Sequence, residues 1–422
     1  MSSFTSLGLI DVLTSQLTEL GYQSATPIQA QAIPAVLANK DVMAGAQTGT
    51  GKTAAFALPI LQQIMLAPHN DEESPISTIP SIKALVLTPT RELAQQVFTS
   101  FESYAEQTNI KIAVAYGGVS INPQIKALER GVDVLVATPG RLLDLLIKGS
   151  MVLGQVKHIV FDEADRMLDL GFKDEIQRIL NRMPPERQTL LFSATFDDAI
   201  FKLSKKLLVD PELIEVAARN TAAETVEQKV YNVDKKRKRE LTSYLIGKNN
   251  WQLVLVFTRT KQGADELAAE MVKDGIAAVA IHGDKSQGAR DKALTGFKEG
   301  KVRALVATDV AARGLDIQAL NVVINYELPF IAEDYIHRIG RTGRAGNDGL
   351  AISLFSAGEE ELLTAVEEVL NTRLMQQWYP GYEPSIDLSE PTKRPNRGRD
   401  RQKARKKALS GDNNRRRRER QK

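Results

Sequence analysis

Short runs of apolar residues, rich in Val, Ile and Leu, recur along this chain and alternate with longer segments of helical periodicity. Continuous apolar runs are typical of parallel strands that are buried on both faces, and the helical segments between them have the lengths of crossover connections. The pattern therefore predicts an α/β fold with polar residues at the strand ends. We predict strands at LVLT (Leu85–Thr88), VLVAT (Val134–Thr138), HIVFDEAD (His158–Asp165) and TLLFSAT (Thr189–Thr195).

The same pattern returns in the second half of the chain. LVFT ends at Thr258 and LVAT ends at Thr308, whereas in the first half LVLT ends at Thr88 and VLVAT at Thr138. Both pairs are spaced 50 residues apart, and the second pair follows the first by 170 residues. Matched spacing and matched terminal threonines favour one α/β unit used twice over a chance recurrence of common strand residues.

This repeat divides the chain into two domains and a tail. We predict an N-terminal domain over residues 1–208, a linker over 209–227, a second domain over 228–378 and a basic tail over 385–422. The linker is placed at Val209–Glu227 because that segment contains a proline and small polar residues and no clear strand. Residues Ala67–Ser81 are predicted to form an acidic surface loop within the first domain.

The charge of the chain is unevenly distributed. The 32 residues from Pro391 to Lys422 contain 15 Lys or Arg and 3 Asp or Glu. The rest of the chain contains 40 Lys or Arg and 49 Asp or Glu. A segment with so little apolar surface is predicted to be disordered and to bind phosphate backbones without reading their sequence. The alternative is a basic end that only improves solubility.

Composition excludes several classes of protein. Hydrophobic residues make up 43% of the 422 residues and charged residues 25%, which is typical of a globular protein. The apolar runs are too short and interrupted for a membrane span, and the N-terminus lacks the features of a secretory signal. The absence of cysteine excludes disulfides and thiolate metal sites, and it fits a cytoplasmic location.

The segment GAQTGTGKTAAF, Gly45–Phe56, resembles a phosphate-binding loop between a strand and a helix. Its glycines allow a sharp turn that points backbone N–H groups inward, and the helix N-terminus adds positive potential. Lys52 would reach the terminal phosphates and the Thr53 hydroxyl would hold Mg²⁺. The alternative is an ordinary glycine turn, because Ala46 stands where the strict pattern has glycine. The predicted nucleotide contacts of the loop are Ala46, Gln47, Thr48, Gly49, Thr50, Gly51, Lys52 and Thr53.

Two further groups of residues suit phosphoryl chemistry. Asp162 and Glu163 follow an apolar run, so Asp162 is predicted to hold the metal, partly through water, and Glu163 to activate the attacking water. In HRIGRTGR, Arg338, Arg341 and Arg344 recur at a spacing of three and would line one side of a helix turn or loop. We predict that Arg341 and Arg344 stabilise charge on the phosphoryl group. The alternatives are a solvated acidic strand end and a basic surface patch.

The residues DEAD at Asp162–Asp165 identify a resemblance to the DEAD-box ATP-dependent RNA helicases, which extends from Phe4 to about Tyr382. The resemblance implies two tandem RecA-like domains of the P-loop NTPase class, helicase superfamily 2, which use ATP and Mg²⁺. TPIQ (Thr26–Gln29) resembles the Q motif of residues 2–30, which implies that Gln29 reads the adenine edge with Tyr22 nearby. By the same matching, Asp316 touches the ribose. AQTGTGKT is the family's own form of the loop.

The resemblance also implies the RNA-binding and coupling residues. The RNA-contacting motifs of the first domain are matched by PTRELA, Gly117-Gly118 and TPGR. The remaining RNA and ATP motifs, in the second domain, are matched by VFTRT, HGDKSQGAR and ATDVAARGLD. The implied RNA contacts are Arg91, Gly118, Thr138, Arg141, Thr258, Arg259, Gly283, Gln287, Arg290 and Thr308. The residues implied to couple hydrolysis to strand separation are Asp165, Ser193, Thr195 and His337. Such residues bind phosphates and sugars rather than base edges, so little sequence specificity is expected.

The implied activity is an RNA-stimulated ATPase that closes its two domains on RNA and opens short duplexes without processivity. Four segments resemble the bacterial RhlE-type branch, namely GGVSINPQ, VDKKRKREL, IGKNNW and PGYEP. This resemblance implies a role in ribosome assembly or RNA turnover, with components of those pathways as partners. Two alternatives are an RNA chaperone that acts through the basic tail and a DNA helicase of similar architecture.

Overall fold

The computed structural model describes residues 3–45, 50–67, 81–196, 198–215, 226–312, 317, 320–343 and 349–385. The chain divides into two compact units, Met1–Glu383 and Pro384–Lys422, and almost all of the second unit lies outside the described residues. The first unit contains two α/β lobes. We call residues 3–215 the first lobe and residues 226–383 the second lobe.

A sheet of seven parallel strands forms the centre of the first lobe. The strand order is β3-β4-β2-β5-β6-β1-β7, and every pairing is parallel. The strands are β1 (Val42–Gly45), β2 (Ala84–Leu87), β3 (Ile112–Ala115), β4 (Val134–Ala137), β5 (His158–Phe161), β6 (Gln188–Ser193) and β7 (Glu212–Glu215). The α-helices are Asp11–Glu19, Pro27–Leu37, Lys52–Leu66, Arg91–Ala105, Asn122–Glu129, Pro139–Ile147, Ala164–Asp169, Lys173–Leu180 and Asp198–Leu207, and Thr5–Leu7 is a 3₁₀ turn.

The second lobe is built in the same way. Its sheet has the order β10-β11-β9-β12-β13-β8-β14, again all parallel. The strands are β8 (Val226–Asn232), β9 (Val254–Thr258), β10 (Ala278–Ile281), β11 (Ala304–Thr308), β12 (Val322–Asn325), β13 (Gly349–Phe355) and β14 (Gln376–Gln377). The α-helices are Lys238–Lys248, Lys261–Lys273, Gln287–Lys298, Asp309–Ala312, Ala332–Ile339 and Glu360–Leu370, and Lys235–Arg237 is a 3₁₀ turn.

The two sheets confirm the repeat that was predicted from the spacing. Adding seven to each strand number in the first sheet gives the order of the second. The predicted pairs of apolar runs are β2 with β4 and β9 with β11, and they occupy equivalent positions. The chain therefore uses one α/β architecture twice, and chance recurrence is excluded.

Burial on both faces explains the continuous apolar runs. In β2, Leu85 and Leu87 pack into one apolar cluster of the first lobe and Val86 into the other, because successive side chains point to opposite faces of a sheet. Helices cover both faces, so every position must be apolar. None of the described helices combines the length and the hydrophobicity needed to cross a bilayer.

One expectation about the predicted linker is wrong. The segment Val209–Glu227 was expected to contain no clear strand, yet it contains β7, and β8 begins at Val226. Strand β7 pairs with β1 at the edge of the sheet and buries only Ile214 of its four residues. A half-exposed edge strand has no apolar run, so hydrophobicity does not reveal it. The domain boundaries themselves stay a prediction.

Candidate active site

The candidate site residues of the first lobe lie at the carboxyl ends of its strands. Lys52 follows β1, Asp162 follows β5 and Ser193 ends β6, and these three strands are neighbours in the order β5-β6-β1. The predicted RNA contacts follow β2 and β4, which are neighbours in the other half of the sheet. The topology therefore separates the predicted nucleotide contacts from the predicted RNA contacts along one edge of the sheet.

Gly51 lies at the end of the predicted phosphate-binding loop and contacts Gln29. Gly51 has a φ of 89° immediately before the helix that begins at Lys52, a conformation that favours glycine. Its carbonyl accepts a hydrogen bond of 3.1 Å from the Gln29 amide, and a side chain at this position would lie 2.3 Å from the Gln29 nitrogen. The Gln29 oxygen accepts a hydrogen bond of 2.9 Å from the Thr26 N–H. Gln29 therefore joins Gly51 to the N-terminus of the helix Pro27–Leu37.

Lys52 and Asp162 each carry a buried polar atom without a hydrogen-bond partner in the described part of the chain. The Lys52 side chain is 7% exposed and its Nζ is unpaired, and Asp162 Oδ1 is likewise buried and unpaired. Burial raises the pKa of Asp162 to about 6, and the Lys52 ammonium partly opposes this effect. A buried ammonium and a buried carboxylate oxygen that lack hydrogen bonds are costly unless a ligand satisfies them. These groups fit a phosphate at Lys52 and a hard cation at Asp162.

Few protein groups are available for a metal at this site. Within the described ranges no three His, Asp or Glu side chains cluster so that they could hold an ion. Thr53 is half-buried in the first turn of the helix that begins at Lys52. Mg²⁺ often takes one or two protein oxygens and fills its octahedron with water and substrate phosphates. Thr53 and Asp162 fit that role.

Glu163 has a strained backbone. Its φ is 54° and its ψ is 54°, in the left-handed region, and it is the N-cap of the helix Ala164–Asp169. A non-glycine residue in this region costs on the order of 1–3 kcal/mol, and such strain is concentrated at functional sites. The bend turns the chain sharply at the end of β5, so that Asp162 and Glu163 both lie at the carboxyl edge of the sheet.

Tyr22 lies in an aromatic cluster next to the Q motif. Its hydroxyl is 2.8 Å from the Tyr104 hydroxyl, and its ring packs edge-on against Phe4 and Tyr104, with centroid distances of 6.2 and 6.1 Å. Burial raises the pKa of Tyr104 well above its usual range. The cluster fixes the Tyr22 ring on the first lobe, and its contact with adenine stays a prediction.

Three of the four predicted coupling residues meet in one hydrogen-bond network. Asp165 Oδ2 accepts hydrogen bonds from the Ala194 N–H (3.1 Å) and the Thr195 hydroxyl (3.3 Å). The buried Ser193 hydroxyl accepts a hydrogen bond of 3.3 Å from the Thr195 N–H. The residues after β5 and β6 are therefore joined directly, whereas His337 lies on the helix Ala332–Ile339 of the second lobe.

The expectation that three arginines line one side of HRIGRTGR is wrong for Arg338. Its side chain is 1% exposed and forms a bidentate ion pair with Asp309, with N–O distances of 2.5 and 2.8 Å. Its guanidinium also donates to the Glu327 carbonyl and lies over the Phe257 ring. The helix ends at Ile339, so Arg341 lies in the following turn, where its side chain is buried. Arg338 therefore supports the fold, and the phosphoryl role stays a prediction for Arg341 and Arg344.

The predicted RNA contacts of the first lobe are held by internal contacts. The Arg91 guanidinium packs against Gly118, which has a φ of 81°, and a side chain there would lie 2.0 Å from Arg91. Buried Arg141 donates hydrogen bonds to Gln124 (2.9 Å) and to the Val119 carbonyl (2.8 Å). Thr138 is the buried N-cap of the helix that carries Arg141. Arg91 and Arg141 therefore fix the shape of the loop that contains Gly118.

The predicted RNA contacts of the second lobe lie at the carboxyl ends of β10, β11 and β9, which are adjacent strands. Thr258 and Thr308 end their strands and are buried. Gly283 is exposed after β10, and Gln287 begins the next helix, where it donates a hydrogen bond of 2.9 Å to Asp291. Arg259 donates to the Leu328 carbonyl at 2.7 Å and forms an ion pair with Glu359.

A cleft of about 460 Å³ gathers predicted RNA contacts from both lobes. Its walls include Arg91, Thr138 and Arg141 of the first lobe and Gly283 and Arg290 of the second. Across this cleft, Arg290 forms an ion pair of 2.6 Å with Glu92, although the angle is not that of a hydrogen bond. The lining therefore combines three arginines with the carboxylates of Glu92 and Asp144.

Asp309, Glu359 and Glu92 were missed by the sequence analysis. Each pairs with an arginine of a predicted motif, namely Arg338, Arg259 and Arg290. Asp309 follows the buried strand β11 directly, which is the same signal that identified Asp162 after β5. Glu359 lies 100 residues from its partner, and nothing in the local sequence indicates it.

Some predicted contacts lie outside the described residues. These are Ala46, Gln47, Thr48, Gly49, Asp316 and Arg344. Thr50, which is described, precedes Gly51 at the start of the helix. A second cavity, of about 890 Å³, lies at the amino ends of β5 and β6 beside His158, Arg187 and Gln188. It contains none of the predicted residues, so it is no part of this site.

Comparison with known protein families identifies both lobes. Residues 26–203 match the DEAD/DEAH box helicase family, and residues 236–346 match the helicase conserved C-terminal domain. These two matches cover most of the two sheets and every motif from TPIQ (Thr26–Gln29) to Arg344.

Individual proteins of this kind are similar over most of the chain. The DEAD-box ATP-dependent RNA helicase CshA of Bacillus subtilis is 40% identical over 385 residues, which are 91% of this chain and 76% of CshA. The ATP-dependent RNA helicase RhlB of Pseudomonas syringae is 42% identical over 374 residues, which are 88% of this chain and 93% of RhlB. The structure of S. cerevisiae Dbp5 bound to RNA and ADP BeF3 superposes with a TM-score of 0.77 at 32% identity, covering 92% of this chain and 97% of Dbp5.

Proposed function

Because the chain belongs to the DEAD-box family of ATP-dependent RNA helicases, we propose that it hydrolyses ATP at Lys52, Asp162 and Glu163 and uses that step to open short RNA duplexes. The observation that carries this proposal is the pair of buried, unpaired groups, Lys52 Nζ and Asp162 Oδ1. Desolvation at the same place raises the pKa of Asp162. A phosphate and a cation satisfy both groups, and no other polar partner in the described chain does so.

Each residue of the site has a separate task in this proposal. Lys52 neutralises charge on the terminal phosphates, and Thr53 and Asp162 hold Mg²⁺, which supplies the positive charge that polarises the phosphoryl group. Glu163 accepts a proton from the attacking water. Arg341 and Arg344 stabilise the charge that develops on the transferred group, which requires the second lobe to close on the first.

The link between hydrolysis and strand separation is proposed to run through Asp165. Its Oδ2 contacts the Ala194 N–H and the Thr195 hydroxyl, so a shift of the segment after Glu163 is passed directly to the segment after β6. Both segments lie at the carboxyl edge of the sheet, where they follow the neighbouring strands β5 and β6. Coupling therefore needs no path through the core.

We expect Thr195→Ala to separate the two activities. The change removes the hydroxyl that donates to Asp165 and leaves the Ala194 N–H in place. A hydrogen bond to a charged group contributes about 1.5–3 kcal/mol, so strand separation per ATP should fall by about tenfold or more while RNA-stimulated hydrolysis changes little. A duplex-unwinding assay run beside an ATPase assay measures both rates. Thr18→Ala, on an exposed helix position, is the matched control, and an equal fall in both activities would contradict the coupling role.

RNA is proposed to bind through its backbone across the cleft between the lobes. The cleft offers cationic groups at Arg91 and Arg290 and an exposed backbone at Gly283. Such groups suit phosphates and sugar hydroxyls. We place the chain in the RhlE-type branch on the segments Gly117–Gln124 and Ile246–Trp251, and we propose a role in ribosome assembly or RNA turnover, with partners from those pathways. The cytoplasmic location stays a prediction that rests on the absence of cysteine.

The basic tail is proposed to tether the enzyme to RNA by charge. Removal of the basic stretch, residues 391–422, should raise the RNA concentration that gives half-maximal ATPase by about tenfold or more, because local concentration is lost, and should leave the maximal rate similar. A tail with the same residues in scrambled order should restore the affinity, since only charge is read. A lower maximal rate at unchanged RNA affinity would contradict this role. Loss of duplex opening on tail removal, but not on Lys52→Ala, would instead support the chaperone alternative.

A further inference from the structure

Phe330 is an exposed aromatic side chain at the carboxyl edge of the sheet of the second lobe. It lies in the loop between β12 and the helix Ala332–Ile339, and its side chain is 71% exposed. The loop follows the carboxyl end of β12, which is the direct neighbour of β9 in the sheet. Phe330 therefore lies beside the strand end that carries Thr258 and Arg259, two predicted RNA contacts.

One face of the Phe330 ring is covered by Arg259. The guanidinium carbon lies over the ring, 5.0 Å from its centroid, within the range of a cation–π contact. Arg259 is itself held in place, because its side chain donates to the Leu328 carbonyl at 2.7 Å and its backbone N–H donates to Glu327 at 2.8 Å. The ring thus rests on a side chain that has little freedom to move.

A network of ion pairs beneath the surface holds the Arg259 guanidinium in place. Glu359 pairs with both Arg259 and Lys238, and its carboxylate accepts a hydrogen bond of 3.0 Å from the Ser356 N–H. The Lys238 ammonium also donates to the Leu354 carbonyl at 2.7 Å, and burial lowers the pKa of Lys238. A chain of contacts therefore connects the end of β13 to an exposed ring, through Lys238, Glu359, Arg259 and Phe330.

We propose that Phe330 is a stacking platform for one unpaired base of the bound RNA. The ring face opposite Arg259 is a flat apolar surface that is held in advance, so little ordering entropy is lost when a base stacks on it. Every base has a π-face, so the contact tolerates any sequence, but a base within a duplex is already stacked and paired. The platform therefore favours single-stranded over double-stranded RNA at this point. This inference rests on the proposed RNA-binding function.

The test measures affinity for a labelled single-stranded RNA decamer by fluorescence anisotropy, with a non-hydrolysable ATP analogue and Mg²⁺ present. Each position of the decamer is replaced in turn by an abasic ribose. We expect Phe330→Ala to bind the intact decamer at least about fivefold more weakly than the parent, or about 1 kcal/mol at 1.4 kcal/mol per tenfold. At one position, the abasic ribose should weaken RNA binding by the parent to the same extent. The same abasic decamer should bind Phe330→Ala no more weakly than the intact decamer does.

Two further variants define the readout. Phe330→Trp should keep the parent affinity, since it retains a ring. Ile331→Ala, at a neighbouring position that is 46% exposed, should also leave the affinity unchanged. The proposal would be overturned if Phe330→Ala bound the intact decamer as tightly as the parent does. It would also be overturned if the substitution weakened binding to every abasic decamer as much as binding to the intact one. Either result would leave the ring as a surface for another contact. A parent protein that fails to bind any decamer would instead reject the proposed RNA-binding function.

Discussion

Replacing Lys52 by alanine is expected to lower RNA-stimulated ATP hydrolysis by at least about a hundredfold while changing the stability of the protein little. Removing a single positioned donor from a developing charge typically costs roughly 10²–10³ in rate. The Lys52 ammonium is buried and makes no hydrogen bond within the described residues, so its removal abolishes a desolvation cost that offsets the lost attraction to Asp162. Steady-state ATPase rates and the thermal unfolding midpoint measure the two effects.

The control for this change is Lys40→Ala. Lys40 is a lysine of the same lobe, but it is exposed and pairs with Glu212 at 2.8 Å. Exposed ion pairs contribute about 0–1 kcal/mol, so neither the rate nor the midpoint should change appreciably. A Lys52→Ala protein that keeps most of its RNA-stimulated hydrolysis would show that the phosphate site lies elsewhere. A large fall in its stability would show that the ammonium has a structural partner.

Replacing Asp309 by alanine is expected to destabilise the second lobe by about 3–5 kcal/mol, because it leaves the Arg338 guanidinium buried without its counter-charge. Arg338 is almost fully enclosed and cannot turn toward water without unfolding its helix. The two tryptophans of the chain, Trp251 and Trp378, both lie in the second lobe. Urea unfolding followed by tryptophan fluorescence therefore reports on that lobe alone.

A matched acidic residue tests whether the effect is specific. Glu299 lies in the same lobe and pairs with Lys301 at 2.6 Å, but both side chains are largely exposed. Glu299→Ala should change the free energy of unfolding by less than about 1 kcal/mol. If Asp309→Ala were equally mild, the buried ion pair would not be a main support of the lobe, and Arg338 would be available for another role.

Much of this structure was predictable because hydrophobic pattern determines which strands are buried. The apolar runs that became β2 and β4 in the first lobe return as β9 and β11 in the second, and the two sheets have matching strand orders. Asp162 and Glu163 were predictable for a related reason. An acidic residue that directly follows a buried parallel strand must lie at the carboxyl edge of the sheet, where ligands bind in folds of this class.

The pairing of the arginines was not predictable from the local sequence. A spacing of three suggested that Arg338, Arg341 and Arg344 share one side, but the helix ends at Ile339 and Arg338 turns inward. The direction of the Arg338 side chain depends on its ion pair with Asp309, which lies 29 residues earlier in the chain. Arg259 depends in the same way on Glu359. Such pairs are set by tertiary packing, which no local pattern encodes.

The edge strand β7 shows the other limit of the hydrophobic pattern. A strand with one neighbour and three exposed residues needs only one apolar side chain in the core, Ile214, so its sequence resembles that of a loop. Its stability comes from the backbone pairing with β1. Sequence patterns therefore indicate the buried centre of each sheet better than its edges.

The most direct test of the central claim is the initial rate of ATP hydrolysis with and without single-stranded RNA, measured on the parent protein and on Glu163→Gln. Glutamine keeps the size of the side chain at this strained position but cannot accept the proton of the attacking water. We predict strong stimulation of the parent by RNA, weaker stimulation by single-stranded DNA, and loss of turnover in the variant. Turnover that is independent of RNA, or that survives in Glu163→Gln, would contradict an RNA-gated ATPase at this site.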